Sequence, residues 1–280
     1  MGLRVNTNIA SLNSQRHLRI TRQGLDRTLE RLSSGSRINR AGDDAAGLAI
    51  SENLRAQIRG LMQAERNASD GVSLVQVAEG GLQEISNILI RLRELGVQAA
   101  SDTVGATERK FLNVEYDALL SELDRISNAT EFNKIPLLNG TGTVFDIQVG
   151  TRNNPNIDRI SFFDSSSADV SSVALGINLT SVSDKASAQN SLAAIDGAIV
   201  SVSSIRADFG AMQNRLQSII NNLAISIENM SAANSRIRDT DIAEETANLT
   251  KDQILMQAGT AVLAQANSSI KNALTLLQGN

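Results

Sequence analysis

The sequence predicts a mostly α-helical fold: a long antiparallel helical rod or coiled-coil bundle with a small β-hairpin region at mid-chain and chain termini paired as a coiled coil. Apolar residues recur every seven positions through most of the 280-residue chain, which is the pattern of helices that bury one continuous stripe. The only two prolines, Pro136 and Pro155, lie at mid-chain, so both halves lack the residue that most strongly interrupts helices. Between the halves the sequence becomes rich in Gly, Asn and Ser, which favours turns and loops.

The first forty residues predict one helix with two short apolar stripes, which ends near Gly35. An isolated helix of this length is marginal in water, so its stripes must pack against another element. The stripes consist of Val5, Ile9 and Leu12, and of Leu18, Leu25, Leu29 and Leu32.

A second, long helix is predicted from about residue 44 to about residue 100, with Asp43 or Asp44 as its N-cap. At a rise of about 1.5 Å per residue, this helix would be roughly 85 Å long. A third helix is predicted near residues 105–129, and the short connection favours antiparallel packing against the second helix. The seven-residue series of the second helix consists of Leu54, Leu61, Ala68, Val75, Leu82 and Leu89, and the apolar face of the third consists of Leu112, Tyr116, Leu119, Leu123 and Ile126.

Residues 134–185 predict β structure and loops. The Asn139-Gly140 dipeptide within residues 138–142 is typical of a hairpin turn. Residues 145–149 alternate between apolar and polar side chains, and residues 159–163 are the candidate partner strand. The Ser-rich remainder predicts loops. The region as a whole is too short to form another full domain.

The second half of the chain predicts two further helices whose seven-residue series are out of phase. The first series ends at Ile237, and the next begins five residues later at Ile242. The polar residues 238–241 offer helix caps, so we expect the helices to break there. The first series consists of Ile195, Val202, Phe209, Leu216, Leu223, Met230 and Ile237, and the second of Ile242, Leu249, Met256, Leu263, Ile270 and Leu277.

These patterns predict two structural layers. Residues 1–44 and 238–280 would form a terminal coiled-coil layer, and residues 45–237 a helical rod domain that includes the β-hairpin and loop region. Neither terminal helix can bury its stripe alone, so we expect the two ends to pair and another surface to cover the rest. The predicted terminal assembly seam consists of Val5, Ile9, Leu12, Leu18, Leu25, Ile242, Leu249, Met256, Leu263, Ile270 and Leu277.

The composition excludes most kinds of catalytic site. The chain has no Cys and one His, which rules out disulfides, thiol nucleophiles and multi-His metal sites. Its net charge of −4 gives no basic field for nucleic acid, and no apolar run approaches the roughly 18 residues that span a bilayer. The N-terminal residues lack the apolar stretch of a cleaved secretory signal. We therefore expect an interaction protein with no catalytic residues, cofactor or metal, and not an enzyme.

Three long runs in the two halves of the chain resemble the signatures of bacterial flagellins. Residues 32–50 read LSSGSRINRAGDDAAGLAI, residues 63–71 read QAERNASDG and residues 257–267 read QAGTAVLAQAN. The resemblance covers nearly the whole chain. The sequence is similar to a minimal flagellin, because it lacks the large outer domains that many members of the family insert at mid-chain.

The resemblance implies a structural subunit that polymerises with itself into the extracellular filament of the bacterial flagellum for swimming motility. It implies export through the flagellar type III apparatus without a cleaved signal peptide, and an export chaperone that binds the C-terminal helix at about residues 242–280. Hook-associated and cap proteins are further implied partners. For the Toll-like flagellin receptor of vertebrate hosts, the resemblance implies a contact patch of Arg91, Leu95 and Glu115, a surface that filament contacts also use.

Two alternatives stay open at this point. A hook–filament junction protein resembles flagellins at its two ends but does not form long filaments alone. A soluble helical adaptor that binds a partner helix would form a small oligomer of defined size rather than a filament.

Overall fold

The computed structural model describes residues 7–142, 144–164 and 168–278, and the side chains of all of these except residues 162–164 and 270–278. Within these residues the chain forms five α-helices and four short β-strands, which confirms the prediction of a mostly α-helical fold. The elements are α1 (Ile9–Ser34), α2 (Ala45–Ala100), α3 (Ala106–Ala129), β1 (Glu131–Phe132), β2 (Ile135–Pro136), β3 (Val144–Gln148), β4 (Arg159–Asp164), α4 (Lys185–Arg238) and α5 (Ile242–Gln278).

The chain divides into two compact units. The first contains the residues up to 56 together with those from 229 onward, and the second contains residues 57–228. These boundaries cut α2 and α4, whereas the predicted layers, residues 1–44 with 238–280 and residues 45–237, divide the chain at the start of α2 and the end of α4. That division describes an assembled state and stays a prediction.

The core of the second unit lies between antiparallel helices. Arg93 of α2 pairs with Asp196 of α4 at 2.7 Å, and Glu79 of α2 pairs with Arg206 of α4 at 3.9 Å, so the two helices run in opposite directions. The predicted seven-residue stripes face inward, because large apolar side chains recur on the same face of each helix. The fully buried members of these stripes are Ala68, Val75, Leu82, Leu89, Ile195 and Leu216.

Helix α2 begins where the sequence predicts. The backbone N–H of Gly47 donates to Asp44 Oδ1 at 2.8 Å, so Asp44 caps the first turn. Its neighbour Asp43 instead accepts hydrogen bonds from the backbone N–H groups of Arg40 and Asn39. These bonds stabilise the carboxylate and lower the pKa of Asp43 below its usual value.

The mid-chain region contains two hairpins. Strands β3 and β4 pair antiparallel, as residues 145–149 and 159–163 predict. The prediction of a hairpin turn at Asn139-Gly140 is wrong, because β2 and β3 on either side are not paired with each other. The two-residue turn joins β1 to β2 instead, at Asn133 and Lys134, which both have positive φ (51° and 65°). A two-residue hairpin loop needs this left-handed backbone, and Lys134 gives no sequence signal for it.

Two neighbouring residues of α2 test how much the core of the second unit contributes to stability. Leu89 is fully buried, whereas Ile90 is 50% exposed. We expect Leu89→Ala to lower the free energy of unfolding by about 2–5 kcal/mol, because it removes buried methyl groups and leaves a cavity. Chemical denaturation of the unpolymerised protein measures this, with Ile90→Ala as the control at about 0.5 kcal/mol or less. Equal losses in the two variants would contradict the placement of the core.

Candidate assembly surface

The two terminal helices, α1 and α5, pack against each other in the first unit. Asn8 holds one end of the pair, because its side-chain Nδ2 donates to the backbone oxygen of Ala266 at 3.0 Å. The Oδ1 of the same side chain accepts from the backbone N–H of Ser11 at 3.0 Å and caps α1. One side chain therefore both starts α1 and ties it to α5.

The other end of the pair is closed by backbone hydrogen bonds. Gly35 ends α1 in the left-handed conformation (φ 68°), which turns the chain toward the α4–α5 break. The N–H of Arg37 then donates to the oxygen of Arg238 at 2.6 Å, and the N–H of Thr240 donates to the oxygen of Gly35 at 3.0 Å. The break predicted at residues 238–241 is confirmed, and these bonds join it to the end of α1.

Two of the ion pairs in this unit join segments that are far apart in the sequence. Glu245 of α5 is only 7% exposed and lies 3.7 Å from Arg31 of α1. Near the break, Arg238 donates to Glu52 Oε1 at 2.5 Å. The hydrogen bond from Arg238, with the nearby charge of Arg55, lowers the pKa of the Glu52 carboxyl below its usual value.

Pairing leaves much of the apolar surface of the two helices uncovered. Ile9 and Leu12 of α1 are each 58% exposed, and Ile254 of α5 is 60% exposed. Large side chains of this kind are often buried, so several of them exposed on one helix pair make that pair a candidate interaction surface. We call this the terminal apolar surface; its described members are Ile9, Leu12, Ile20, Leu29, Ile242, Ile254, Leu255 and Val262.

The predicted seam residues fall into three groups. Ile9, Leu12 and Ile242 are exposed in the single chain. Val5 lies outside the described residues, as do the side chains of Ile270 and Leu277. The remaining members, Leu18, Leu25, Leu249, Met256 and Leu263, are half-buried. That neighbouring copies cover the seam in an assembly stays a prediction.

Sequence reasoning missed the small and polar residues that line the same helix pair. Ser11 and Thr28 of α1 and Glu245 of α5 are buried, although none is apolar. The spacing does indicate that Ser11 faces inward. It lies seven residues before Leu18, and Leu18 lies seven residues before Leu25, so the three share one face of α1. Counting only large apolar residues selected the neighbouring Leu12, which is exposed.

The structure brings together two of the three predicted receptor-patch residues. Arg91 of α2 donates from Nε to Glu115 Oε1 of α3 at 2.9 Å and from a terminal nitrogen to Glu94 at 2.9 Å. These hydrogen bonds, to Glu94 and Glu115, raise the pKa of the Arg91 guanidinium. Leu95 is 1% exposed and packs in the core, so it offers no surface to a partner in this conformation.

No helix in the described part of the chain is long and apolar enough to cross a bilayer. Among the same residues, no three His, Asp or Glu side chains are grouped so that they could hold a metal ion.

The two ends of the chain match known protein families. Residues 5–143 match the bacterial flagellin N-terminal helical region, and residues 192–277 match the bacterial flagellin C-terminal helical region. The chain is 44% identical to a flagellin of Halalkalibacterium halodurans over 274 residues, which cover 98% of this chain and 99% of that one. It is also 44% identical to a flagellin of Bacillus subtilis, covering 99% of this chain and all of that one. The chain belongs to the flagellin family.

Solved structures agree with this assignment. The crystal structure of Bacillus cereus flagellin is 34% identical and matches 60% of this chain and 94% of that chain, with a TM-score of 0.50. A putative flagellar hook-associated protein from Vibrio parahaemolyticus has a TM-score of 0.56 over 70% of this chain, but at 16% identity it shows the fold alone. The full-length matches favour a flagellin over a hook–filament junction protein or a helical adaptor.

Membership of this family defines the broad function. Flagellins are structural proteins, so the chain is a self-assembling subunit of the extracellular flagellar filament and not an enzyme. The geometry of interest is therefore a surface for assembly rather than a pocket for chemistry.

The Arg238–Glu52 pair makes the first unit sensitive to acid. Because the folded state lowers the pKa of Glu52 below 4.5, the pair stabilises the protein above that pH and is lost as the pH falls through the folded pKa. We expect Arg238→Gln to raise the pKa of Glu52 toward 4.5, measured by carboxyl NMR titration of the monomer. Arg37→Gln is the control, because the Arg37 side chain contacts the Ile237 backbone instead. An unchanged titration in Arg238→Gln would exclude this pairing.

Proposed function

We propose that the terminal apolar surface on α1 and α5 is where successive copies of the chain bind one another as the filament grows. The observation that carries the proposal is the exposure of eight large apolar side chains on two paired helices. The terminal helices would become more protected when neighbouring copies cover them, which couples their ordering to polymerisation.

Apolar burial dominates the energetics of this contact. Burying one large aliphatic side chain stabilises an interface by about 1.5–3 kcal/mol, whereas an exposed ion pair contributes about 0–1 kcal/mol. The exposed ion pairs therefore contribute less to the free energy of binding than the apolar side chains do. Unlike surfaces that meet head to tail without closing a ring generate an open helical filament.

Two substitutions on α5 test this proposal. Ile254 and Val262 are exposed and lie eight residues apart, on one face of the helix. We expect Ile254→Ser with Val262→Ser to slow seeded polymerisation by at least about tenfold, because burial of each side chain is lost. Light scattering and electron microscopy measure growth, and the melting temperature of the monomer should change little.

The matched control is Val200→Ser, which removes a 69% exposed side chain from α4 in the second unit. It should polymerise as the unaltered chain does. Limited proteolysis gives an independent readout, because α1 and α5 should be cleaved more slowly in filaments than in monomers. Equal cleavage in the two states would refute the proposal.

The same surface suits the partners of an unassembled subunit. We propose that an export chaperone binds α5 before assembly, during export through the flagellar type III apparatus. Leu255 and Val262 of α5 are exposed in the single chain and would be available to it. Hook-associated and cap proteins would contact subunits at the two ends of the filament, where no further copy covers the terminal apolar surface.

We further propose that the Arg91–Glu115 pair contributes to recognition by the Toll-like flagellin receptor of hosts. Both side chains are about half exposed, and their ion pair holds them on one surface of α2 and α3. Leu95 would act indirectly, through the packing that orients α2.

A receptor reporter assay with monomeric protein tests this recognition. We expect Arg91→Ala to weaken the response on the order of tenfold, the effect of losing one or two charge-assisted hydrogen bonds. Arg125→Ala is the matched control, because Arg125 pairs with Glu122 within α3 and its side chain is 64% exposed, against 48% for Arg91. A response to Arg91→Ala as strong as that to the control would count against the patch.

A further inference from the structure

The contacts between α1 and α5 keep a single register along the whole pair. Asn8 meets Ala266 at one end, and Ser36 pairs with Asp239 at the other. Between these ends, each step forward along α1 is matched by a step back along α5. The intermediate contacts are Leu18 with Gly259, Gly24 with Asp252, and Arg31 with Glu245.

Two of these contacts place a side chain against a glycine. A Cβ at Gly259 would lie 2.7 Å from Cδ2 and 3.2 Å from Cγ of Leu18. A Cβ at Gly24 would lie 2.9 Å from Oδ2 of Asp252. A Cβ rarely has a neighbouring atom within 3 Å, so each glycine leaves room that the end of a side chain from the opposite helix occupies. One space lies on each helix.

If α5 shifted along α1 by one helical turn, Leu18 would no longer lie against Gly259, and Asp252 would no longer lie against Gly24. Leu18 would then face Leu255 or Met256 in one direction, and Val262 or Leu263 in the other. Each of these four positions carries a large side chain where Gly259 has none. The same shift would separate the buried carboxylate of Glu245 from Arg31, and an unpaired buried charge is costly.

We infer that Gly24 and Gly259 are positioning residues that fix the register of the α1–α5 pair, and so decide which apolar side chains face neighbouring copies. This inference deepens the proposed function and rests on it. With the register fixed, Ile9, Leu12 and Ile20 of α1 are presented together with Ile254 and Val262 of α5. A shifted pair would present a different set and would not match the next copy.

Gly259→Ala tests the inference, because two physical effects have opposite signs there. Alanine favours helices over glycine, so helix propensity alone predicts normal or better assembly. The contact with Leu18 predicts instead that the critical concentration for seeded polymerisation rises about tenfold. Trypsin cleavage at the arginines of α1 in the monomer should accelerate, while the thermal unfolding of residues 57–228 stays unchanged. Gly210→Ala in α4 is the control, since nothing lies within 4 Å of a Cβ there.

A second substitution distinguishes a register role from a general defect. Leu18→Ala in the Gly259→Ala background removes the side chain that meets the new Cβ and should restore most of the polymerisation and protease resistance. Normal assembly by Gly259→Ala, or failure of Leu18→Ala to rescue it, would overturn the inference. If protease resistance is lost and rescued while polymerisation never changes, the register role is upheld and the proposed assembly surface is wrong.

Discussion

The antiparallel pairing of α1 with α5 is the interaction on which the function of the chain depends. In the second unit, the helices bury most positions of their seven-residue stripes, and Leu82 and Ile195 are fully buried. In the first unit, pairing covers one face of each terminal helix and leaves large side chains such as Ile9 and Ile254 in water. The second unit therefore has a large buried core of its own, whereas the paired helices of the first unit present apolar side chains that, under the proposal above, neighbouring copies cover.

The residues between α1 and α5 help to explain why large apolar side chains stay exposed in the first unit. The inward positions of the helix pair are occupied partly by small or polar residues: Ser11 and Thr28 are buried, Glu245 is buried against Arg31, and Gly24 admits Asp252. Such residues contribute little apolar burial, so polar contacts and shape add to the burial that the half-buried leucines of the pair provide. Other large aliphatic residues, such as Ile9 and Ile254, stay exposed and are available to a neighbouring copy.

The parts of the fold that sequence predicts well are those controlled by large apolar residues. The stripes through Leu82 and Ile195, the cap at Asp44 and the break after Arg238 follow from hydrophobic period and capping chemistry, which act locally. The turn at Asn133-Lys134 and the burial of Leu95 could not be found in this way. The first depends on strand pairing, and the second on which face of α2 the neighbouring helices cover. Inward positions filled by serine, glycine or glutamate carry no hydrophobic signal. The predicted seam shares Ile9, Leu12 and Ile242 with the terminal apolar surface and misses its other five members.

Polar and glycine residues inside a helix pair also act against alternative pairings. A uniformly leucine-lined pair would be more stable, but it would tolerate shifts of one turn and compete with contacts between copies. A pair fixed by two glycine spaces and one buried ion pair tolerates few other arrangements, since each shift brings large side chains together or separates Glu245 from Arg31. A filament subunit needs this property, because every copy must present the same outer face to the next one. In this arrangement, the contact between α1 and α5 within one chain fixes the geometry. The exposed apolar side chains then supply most of the binding free energy between chains.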